Sequence, residues 1–432
     1  MKILILGSGG RESAFAWKLN KELPKENIFI APGNAGTLQY GTNVNLNLSN
    51  FEEIGKFCIE NNIDTLLPGG EDTLVGGIRN FFENHQMLKN IYVFGPDERG
   101  AMLEGSKDFS KNFMTKYNIP TAKYKSFVKG EEQSAFNFLE TLNPPYVIKA
   151  DGLAAGKGVI ICQSLEDARD TVNEMLLQNM FGKASNKIVI EEFLNGIEVS
   201  FFAISDGSDY ILLPEAKDYK KIGENDTGPN TGGMGAVSPV LFADENFKQK
   251  VIKNIINPTF NGLKNENIDY VGFVFFGLIK VGENPFVIEY NCRMGDPETE
   301  VVLPRLKNSL SEIISFSKHK KLNEISPEFV KDFCSTVMLV SKGYPGNYEK
   351  GKKIEISNTF ESIVFHAGTI NEGNYILTNG GRVLAVSSFG SSLSEALDKS
   401  YKSIEKINFE GINFRRDIGQ DLIKLEVQHG NY

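Results

Sequence analysis

Short apolar runs alternate with amphipathic stretches over the first hundred residues. Residues 3–6 (ILIL) are an unbroken apolar run, followed by a glycine turn and by helical spacing over 12–19. Residues 28–30, 65–67 and 91–94 repeat the short run, and 51–60 places apolar residues at helical spacing between them. Buried runs separated by helices predict βαβ units and a parallel sheet. Residues 1–103 are therefore expected to form one doubly wound α/β domain.

Pro120 ends the next helical stretch, because the residue before a proline disfavours the helical region. From about 121 to 188 a smaller unit is expected. Residues 146–149 and 159–162 read as strands flanking a glycine-rich loop, 165–177 as a helix and 188–193 as a strand. Further strands are expected at 199–204, 273–280 and 285–290. Between them, 227–235 (TGPNTGGMG) is dense enough in glycine for a loop, or for backbone that must approach a ligand closely. A small last unit, 327–432, carries short strands and turns such as Asn379-Gly380-Gly381. The expected class is α/β and α+β multidomain.

Composition narrows the function. The 432 residues are 41% hydrophobic and 23% charged, as in an ordinary globular protein. A net charge of −9 argues against general nucleic-acid binding. Cys58, Cys162, Cys292 and Cys334 form no CxxC pair, so a reducing compartment fits better than a disulfide framework. The opening apolar run is too short for a signal peptide, and no stretch is long enough to span a membrane. A cytoplasmic protein is expected.

Two glycine loops invite a phosphate. Gly7-Ser8-Gly9-Gly10-Arg11-Glu12 follows the first strand, but Glu12 replaces the third glycine of a dinucleotide fingerprint and no acid ends the second strand. A phosphorylated ligand at the helix N-terminus, with Arg11 adding charge, is the better functional reading beside a plain strand–helix turn. The second loop spans Lys149 to Val159 (KADGLAAGKGV). Its glycine spacing and the absence of Ser or Thr after Lys157 exclude a Walker A loop. A strand–glycine loop–strand hairpin is instead a flap whose backbone N–H groups can reach a triphosphate, with Lys149 as a further charge. Otherwise it is an ordinary exposed hairpin.

Glu289 and Asn291 alternate along one strand and so share a face. A carboxylate beside an amide oxygen suits magnesium, and Arg293 continues that face. The competing reading is a Glu289–Arg293 surface bridge. Asp296, Glu298 and Glu300 follow at once. They suggest substrate contacts, or a helix capped by Asp296 with Pro297 at its first position. Glu191-Glu192-Phe193-Leu194, with Glu198 after it, could offer backbone to an adenine edge and a carboxylate to ribose hydroxyls.

Together these segments resemble the glycinamide ribonucleotide synthetase family of the ATP-grasp superfamily. The shared stretches include GSGGRE (7–12), APGNAG (31–36), EGSK (104–107), IKADGLAAGKGV (148–159), EEFLNGIE (191–198), DTGPNTGGMGA (226–236), IEYNCRMGDPETE (288–300), FHAGT (365–369), NGGRV (379–383) and RRDIG (415–419). The resemblance implies an N-terminal parallel-sheet domain over 1–103. It implies an ATP-grasp domain over 104–326, with a mobile lid at about 121–188, and a C-terminal domain over 327–432. It also implies ligation of glycine to 5-phosphoribosylamine with ATP, giving glycinamide ribonucleotide, ADP and phosphate. By resemblance Lys107, Lys149, Gly156, Lys157, Gly158, Glu191, Phe193, Leu194 and Glu198 contact ATP, and Glu289 and Asn291 hold magnesium, or manganese in its place. Gly10, Arg11, Glu12, Asn34, Ala35, Gly36, Glu71, Asp218, Asp296 and Glu298 face the substrates, with Arg293, Lys149, Asp218 and Glu298 as the catalytic set. Where the family pattern has His, Pro, His and Arg, this chain has Ser13, Gly70, Tyr219 and Lys221.

The implied chemistry needs no nucleophilic triad. A carboxylate resists amine attack, so the γ-phosphoryl group of ATP first activates glycine as an acyl phosphate, which the amine then attacks. Cys292 is expected to be packing and His366 structural. A related ATP-grasp ligase or carboxylase is the alternative enzyme, and a nucleotide-binding protein without catalysis the alternative of another class. The expected partners are small molecules, with neither nucleic acid nor membrane, and the assembly a monomer or homodimer.

Overall fold

The computed structural model describes residues 1–154, 158–357 and 361–429. Gly156 and Lys157 lie outside the described residues. Five parallel strands form the N-terminal sheet: β1 (Ile3–Gly7), β2 (Ile28–Pro32), β3 (Thr42–Asn43), β4 (Thr65–Pro68) and β5 (Tyr92–Val93), in the order β3-β2-β1-β4-β5. Helices cover both faces, which is why β1 is apolar throughout. Ile3 and Ile5 share a core with α1 (Gly10–Asn20), whereas Leu4 and Leu6 pack with α2 (Phe51–Glu60) and, beyond α3 (Glu71–Val75), with α4 (Ile78–Asn84). The strand order reverses between β1 and β4. Ligands of open α/β sheets sit at such a switch point, outside the strand ends. Here those ends lead into Gly9–Arg11 and into Glu71.

Helices α5 (Glu98–Gly105) and α6 (Lys107–Lys116) carry the chain onward. Beyond them lies a small unit of β6 (Tyr124–Val128), α7 (Glu132–Leu139), β7 (Tyr146–Ala150), β8 (Val159–Cys162), α8 (Leu165–Leu176) and β9 (Lys187–Glu192). Its antiparallel sheet, ordered β6-β9-β7-β8, encloses a core of its own that includes Phe127, Ile148, Val172, Met175 and Ile190. Ser164 caps α8 by accepting the Asp167 N–H at 3.1 Å.

The third unit is built on β10 (Ile197–Asp206), β11 (Tyr210–Asp218), the hairpin arm β12 (Lys221–Gly223) and β13 (Thr227–Asn230), and β14 (Gly235–Ser238). It continues through α9 (Glu245–Val251) and α10 (Asn257–Asn265) to β15 (Val271–Val281), β16 (Asn284–Asn291), α11 (Thr299–Arg305) and α12 (Leu310–Lys318). The glycine-dense segment 227–235, expected as a loop, thus contributes both an arm strand and the start of β14. The expected cap at Asp296 is not what forms. Helix α11 begins at Thr299, and Asp296–Pro297 is a cis peptide that lies outside it.

The last residues do not stand apart. Strand β17 (Phe333–Ser341) pairs antiparallel with β14, Gly235 opposite Val337, and β17 then pairs with a later strand over 382–390. One nine-stranded sheet therefore runs from β16 through β15, β10, β11, β14 and β17 into the C-terminal region. A separate four-stranded sheet completes that region. No helix among the described residues is long and apolar enough to cross a membrane.

Candidate active site

The cleft lies between the β7–β8–β9 face and strands β15 and β16, and it extends to the switch point of the N-terminal sheet. Its wider part has a cavity volume of about 250 Å³. Apolar walls come from Val147, Val159, Ile161, Leu194, Ile279 and Ile288, and Glu192 and Phe193 also line the space. An aromatic base fits such a slot. Glu198 stands at the same end but is already ion-paired to Lys220, whose ammonium also lies 3.5 Å from Asp218.

Deeper in, Lys107, Lys149, Glu289, Asn291 and Arg293 line one cavity of about 150 Å³, together with Leu153, Ala154 and Gly158 from the segment between β7 and β8. Lys107 opens α6, and the KADG loop holds that helix start. Asp151 accepts from Ser106 Oγ at 2.9 Å and from the Asp108 N–H at 2.8 Å, while Ser106 caps the helix through the Phe109 N–H. Two sequence-distant motifs, EGSK and KADG, are thereby locked together, and both lysines face the cleft.

Lys149 Nζ lies 2.8 Å from one oxygen of Glu191, and Lys111 Nζ 2.8 Å from the other. All three side chains are buried. Burial pushes the Glu191 carboxyl up, but Lys149 and Lys111 prevail and hold it below the usual range. A bulge in the β15–β16 ladder falls between Val287 and Glu289, so Ile288 and Glu289 both reach the cleft. Among the described residues the side-chain oxygens of Glu289 and Asn291 have no hydrogen-bond partner. A carboxylate and an amide left free beside two lysines fit a hard cation shared with phosphate oxygens.

Arg293 does not bridge to Glu289. Its guanidinium binds Glu104 at 2.7 Å and Glu71 at 3.1 Å, joining α5 and α3 to the end of β16. Cys292 points away, donating its N–H and thiol to Glu104, and burial with that acid raises its pKa far above the ordinary thiol value. Next to Arg293 stands Arg11, which donates to Met294 O at 3.1 Å and to Glu12 at 2.7 Å. Glu71 is pushed up by burial but held below the carboxylate range by Arg293 and Arg11.

Several expected substrate contacts hold the turn itself. Glu12 accepts the Gly9 N–H at 2.6 Å, and a Cβ at Gly69 would fall 2.0 Å from its Oε1. Asn34 donates to Ser8 O and His366 O and accepts from the Gly36 and Thr37 N–H groups. Ala35 is buried, Gly36 packs on the His366 ring, and Gly10 packs on Glu300. Ser13 donates to His366 O at 2.6 Å, so the residue that departs from the family pattern is used in packing. Burial lowers the His366 pKa to about 4, leaving it neutral and structural. Tyr219 is buried and donates to Asp421 at 2.6 Å.

Beyond Lys220 and lining neither part of the cleft stands a group of acids, Asp218, Asp296 and Glu298. Glu298, 3.3 Å from Ser200 Oγ, is pushed up to about 7 by burial, with Asp218 adding to the shift. Burial raises Asp218 as well, against the pull of Lys220. Asp296 is held low, against its burial, by Arg382 at 3.0 Å and by Arg11. Lys111, Glu104, Asp151 and Arg382 belong to this constellation and were not singled out from sequence, although Glu104 lies in the EGSK stretch, Asp151 in the KADG loop and Arg382 in NGGRV.

The chain matches the phosphoribosylglycinamide synthetase N domain over residues 1–104, the ATP-grasp (A) domain over 105–299 and the C domain over 334–421. It is 43% identical to a phosphoribosylamine–glycine ligase of Clostridium acetobutylicum over 97% of this chain and 100% of the relative. It is 42% identical to one of Fusobacterium nucleatum, over 97% and 98%. The crystal structure of phosphoribosylamine–glycine ligase from Thermotoga maritima superimposes with a TM-score of 0.83 at 34% identity, over 96% of this chain and all of that one. The biotin carboxylase domain of Hydrogenobacter thermophilus 2-oxoglutarate carboxylase shares the fold alone, with a TM-score of 0.73 at 17% identity.

Proposed function

The chain belongs to the phosphoribosylglycinamide synthetase family, an ATP-dependent ligase of purine biosynthesis that joins glycine to phosphoribosylamine, and we propose how its residues divide that work. The observation that carries the assignment is the convergence of Lys107, Lys149, Glu289 and Asn291 on one cleft, with Glu191 buried beside Lys149. Adenine lies in the apolar slot beside Leu194, and the phosphates run past Lys149 and Lys107 toward Arg293. Glu289 and Asn291 would hold the magnesium, or manganese in its place, which supplies charge neutralisation at the phosphates.

Glycine's ammonium is placed at Asp218 and Glu298, which turns its carboxylate toward Arg293. Transfer of the γ-phosphoryl group then gives an acyl phosphate and ADP. Arg293 and Lys149 stabilise charge on the moving group, and the flap excludes water that would hydrolyse the product. The ribosylamine sits at the switch point by Arg11 and Glu71. Its amine attacks the acyl carbon, phosphate leaves, and Glu298, poised near neutrality, accepts the amine's proton. A monomeric or dimeric enzyme of the cytoplasm fits these small-molecule partners.

ADP release should be followed with ATP and magnesium while glycine and phosphoribosylamine are added singly and together. Turnover only with both, with the product's mass matching glycinamide ribonucleotide, is the expected result. Turnover with bicarbonate in place of glycine would point to a carboxylase. Nucleotide binding without turnover would point to a protein that only binds.

A further inference from the structure

Among the described residues, Lys111 is the one buried cation lining the cleft for which the steps above have no use. It lies one helical turn beyond Lys107 on α6, with a side chain about 2% exposed. Burial lowers its pKa to about 8, with Glu191 acting against that fall. Its ammonium makes two contacts at 2.8 Å, one to Glu191 Oε2 and one to Thr121 Oγ1. Thr121 in turn donates to Val287 O at 2.7 Å, on the strand that carries Glu289.

Glu191 is thus a buried carboxylate shared between two lysines. Removing one partner from a buried ion pair is costly, because the remaining charge is left uncompensated in a low-dielectric site. If Lys149 carries its charge to a nucleotide phosphate, Glu191 must keep a counter-ion. Lys111 is suited to stay, since Thr121 and the α6 backbone fix it. Among the described residues, Lys149 has only a long 3.5 Å contact to Ile288 O besides Glu191.

We propose that Lys111 is a positioning residue, the resident counter-ion of Glu191, whose presence frees Lys149 to bind the nucleotide phosphates. The inference rests on the reading of Lys149 as a phosphate ligand. Without Lys111, Lys149 is the sole partner of a buried acid and is held away from phosphate. Removing the acid as well releases it again. A residue that merely packs would show neither dependence on phosphate nor rescue.

Calorimetric titration of the full-length protein with adenosine and, separately, with magnesium–ADP tests this. Lys111→Met should weaken magnesium–ADP about tenfold and leave adenosine within about twofold. The double variant Lys111→Met with Glu191→Gln should bind magnesium–ADP within about threefold of Glu191→Gln alone. Parallel loss of both ligands, or a double variant no better than Lys111→Met, overturns the proposal. Should Lys111→Met not fold, Lys111→Arg keeps the charge and is expected to bind magnesium–ADP within about threefold of the parent, and a loss of about tenfold there overturns it instead. Lys149→Met separates the two failures, since unchanged magnesium–ADP binding in that variant defeats the phosphate role of Lys149 itself.

Discussion

Single side chains in this cleft are distinguished by whether their polar atoms are already committed. Glu12 and Asn34 commit their polar atoms to the Gly9 and Asn34 turns and to His366 O, and Arg11 keeps most of its N–H groups unspent, whereas Glu289 and Asn291 face the cleft with no hydrogen bond to their side-chain oxygens among the described residues. Glu289→Ala should therefore lower turnover at ordinary magnesium by at least about a hundredfold. Its melting temperature without ligands should stay near the parent's, and near-normal turnover would defeat the metal assignment. Glu298 gives a pH prediction. Its folded pKa of about 7 lies above the ordinary carboxyl value of 4.5. If it accepts the amine's proton, kcat should rise as pH increases through about 7, and Glu298→Gln should remove that limb. The sign for stability is opposite. Between pH 4.5 and about 7 the native state holds the extra proton, so this group's contribution to stability falls as pH rises through that window. Urea midpoints of the parent and Glu298→Gln across the same range measure it, and parallel curves would show that Glu298 does not titrate there.

At the scale of elements, the join between the KADG loop and α6 shows how two motifs become one site. Asp151 satisfies the Ser106 hydroxyl and the Asp108 N–H at the helix start. Asp151→Ala should cost about 1–2 kcal/mol by denaturant unfolding. It should also raise KM for ATP more than KM for glycine, because Lys107 loses its fixed base, and equal changes in both would deny that link. Much of this level was legible in the sequence. The helix Phe51–Glu60 follows its apolar pattern, with Ile54 and Cys58 buried, and the strand Val159–Cys162 forms where expected although only Cys162 of it is buried. The face shared by Glu289 and Asn291 follows from the period of a strand. What pattern cannot carry is pairing across long stretches of chain. Lys111 meets Glu191 across 80 residues and Arg293 meets Glu104 across 189, and a lone lysine or glutamate on a helix gives no local sign of such a partner. The cap expected at Asp296 fails for a related reason. That carboxylate is taken by Arg382 and by the Arg11 N–H, contacts from distant parts of the chain.

At the scale of the whole molecule, the small unit over 124–192, the lid of the proposed reaction, and the C-terminal region differ in how they are attached. The lid encloses its own apolar core, including Phe127, Ile148 and Met175, and its sheet stands apart from the nine-stranded sheet. The C-terminal strands belong to the same sheet as β10 and β15, and Val337, Met338 and Val386 share one core with Phe202 and Phe276. Cooperative units follow shared cores, because burial of apolar surface is the main favourable term in folding. Truncation after residue 326 would strip β14 of its β17 partner and open that core, so the shortened chain should not give a cooperative unfolding transition. The lid should behave otherwise. In native-state hydrogen exchange, amides of β7 and β9 should open together at a lower free energy than those of β10 and β15. Saturating magnesium–ADP should narrow that gap, since Lys149, Glu191 and Leu194 reach the nucleotide cleft from the lid side. Exchange of all four strands in a single step, with or without nucleotide, would mean that the separate core does not make a separate unit, and closure would then have to come from the flap alone.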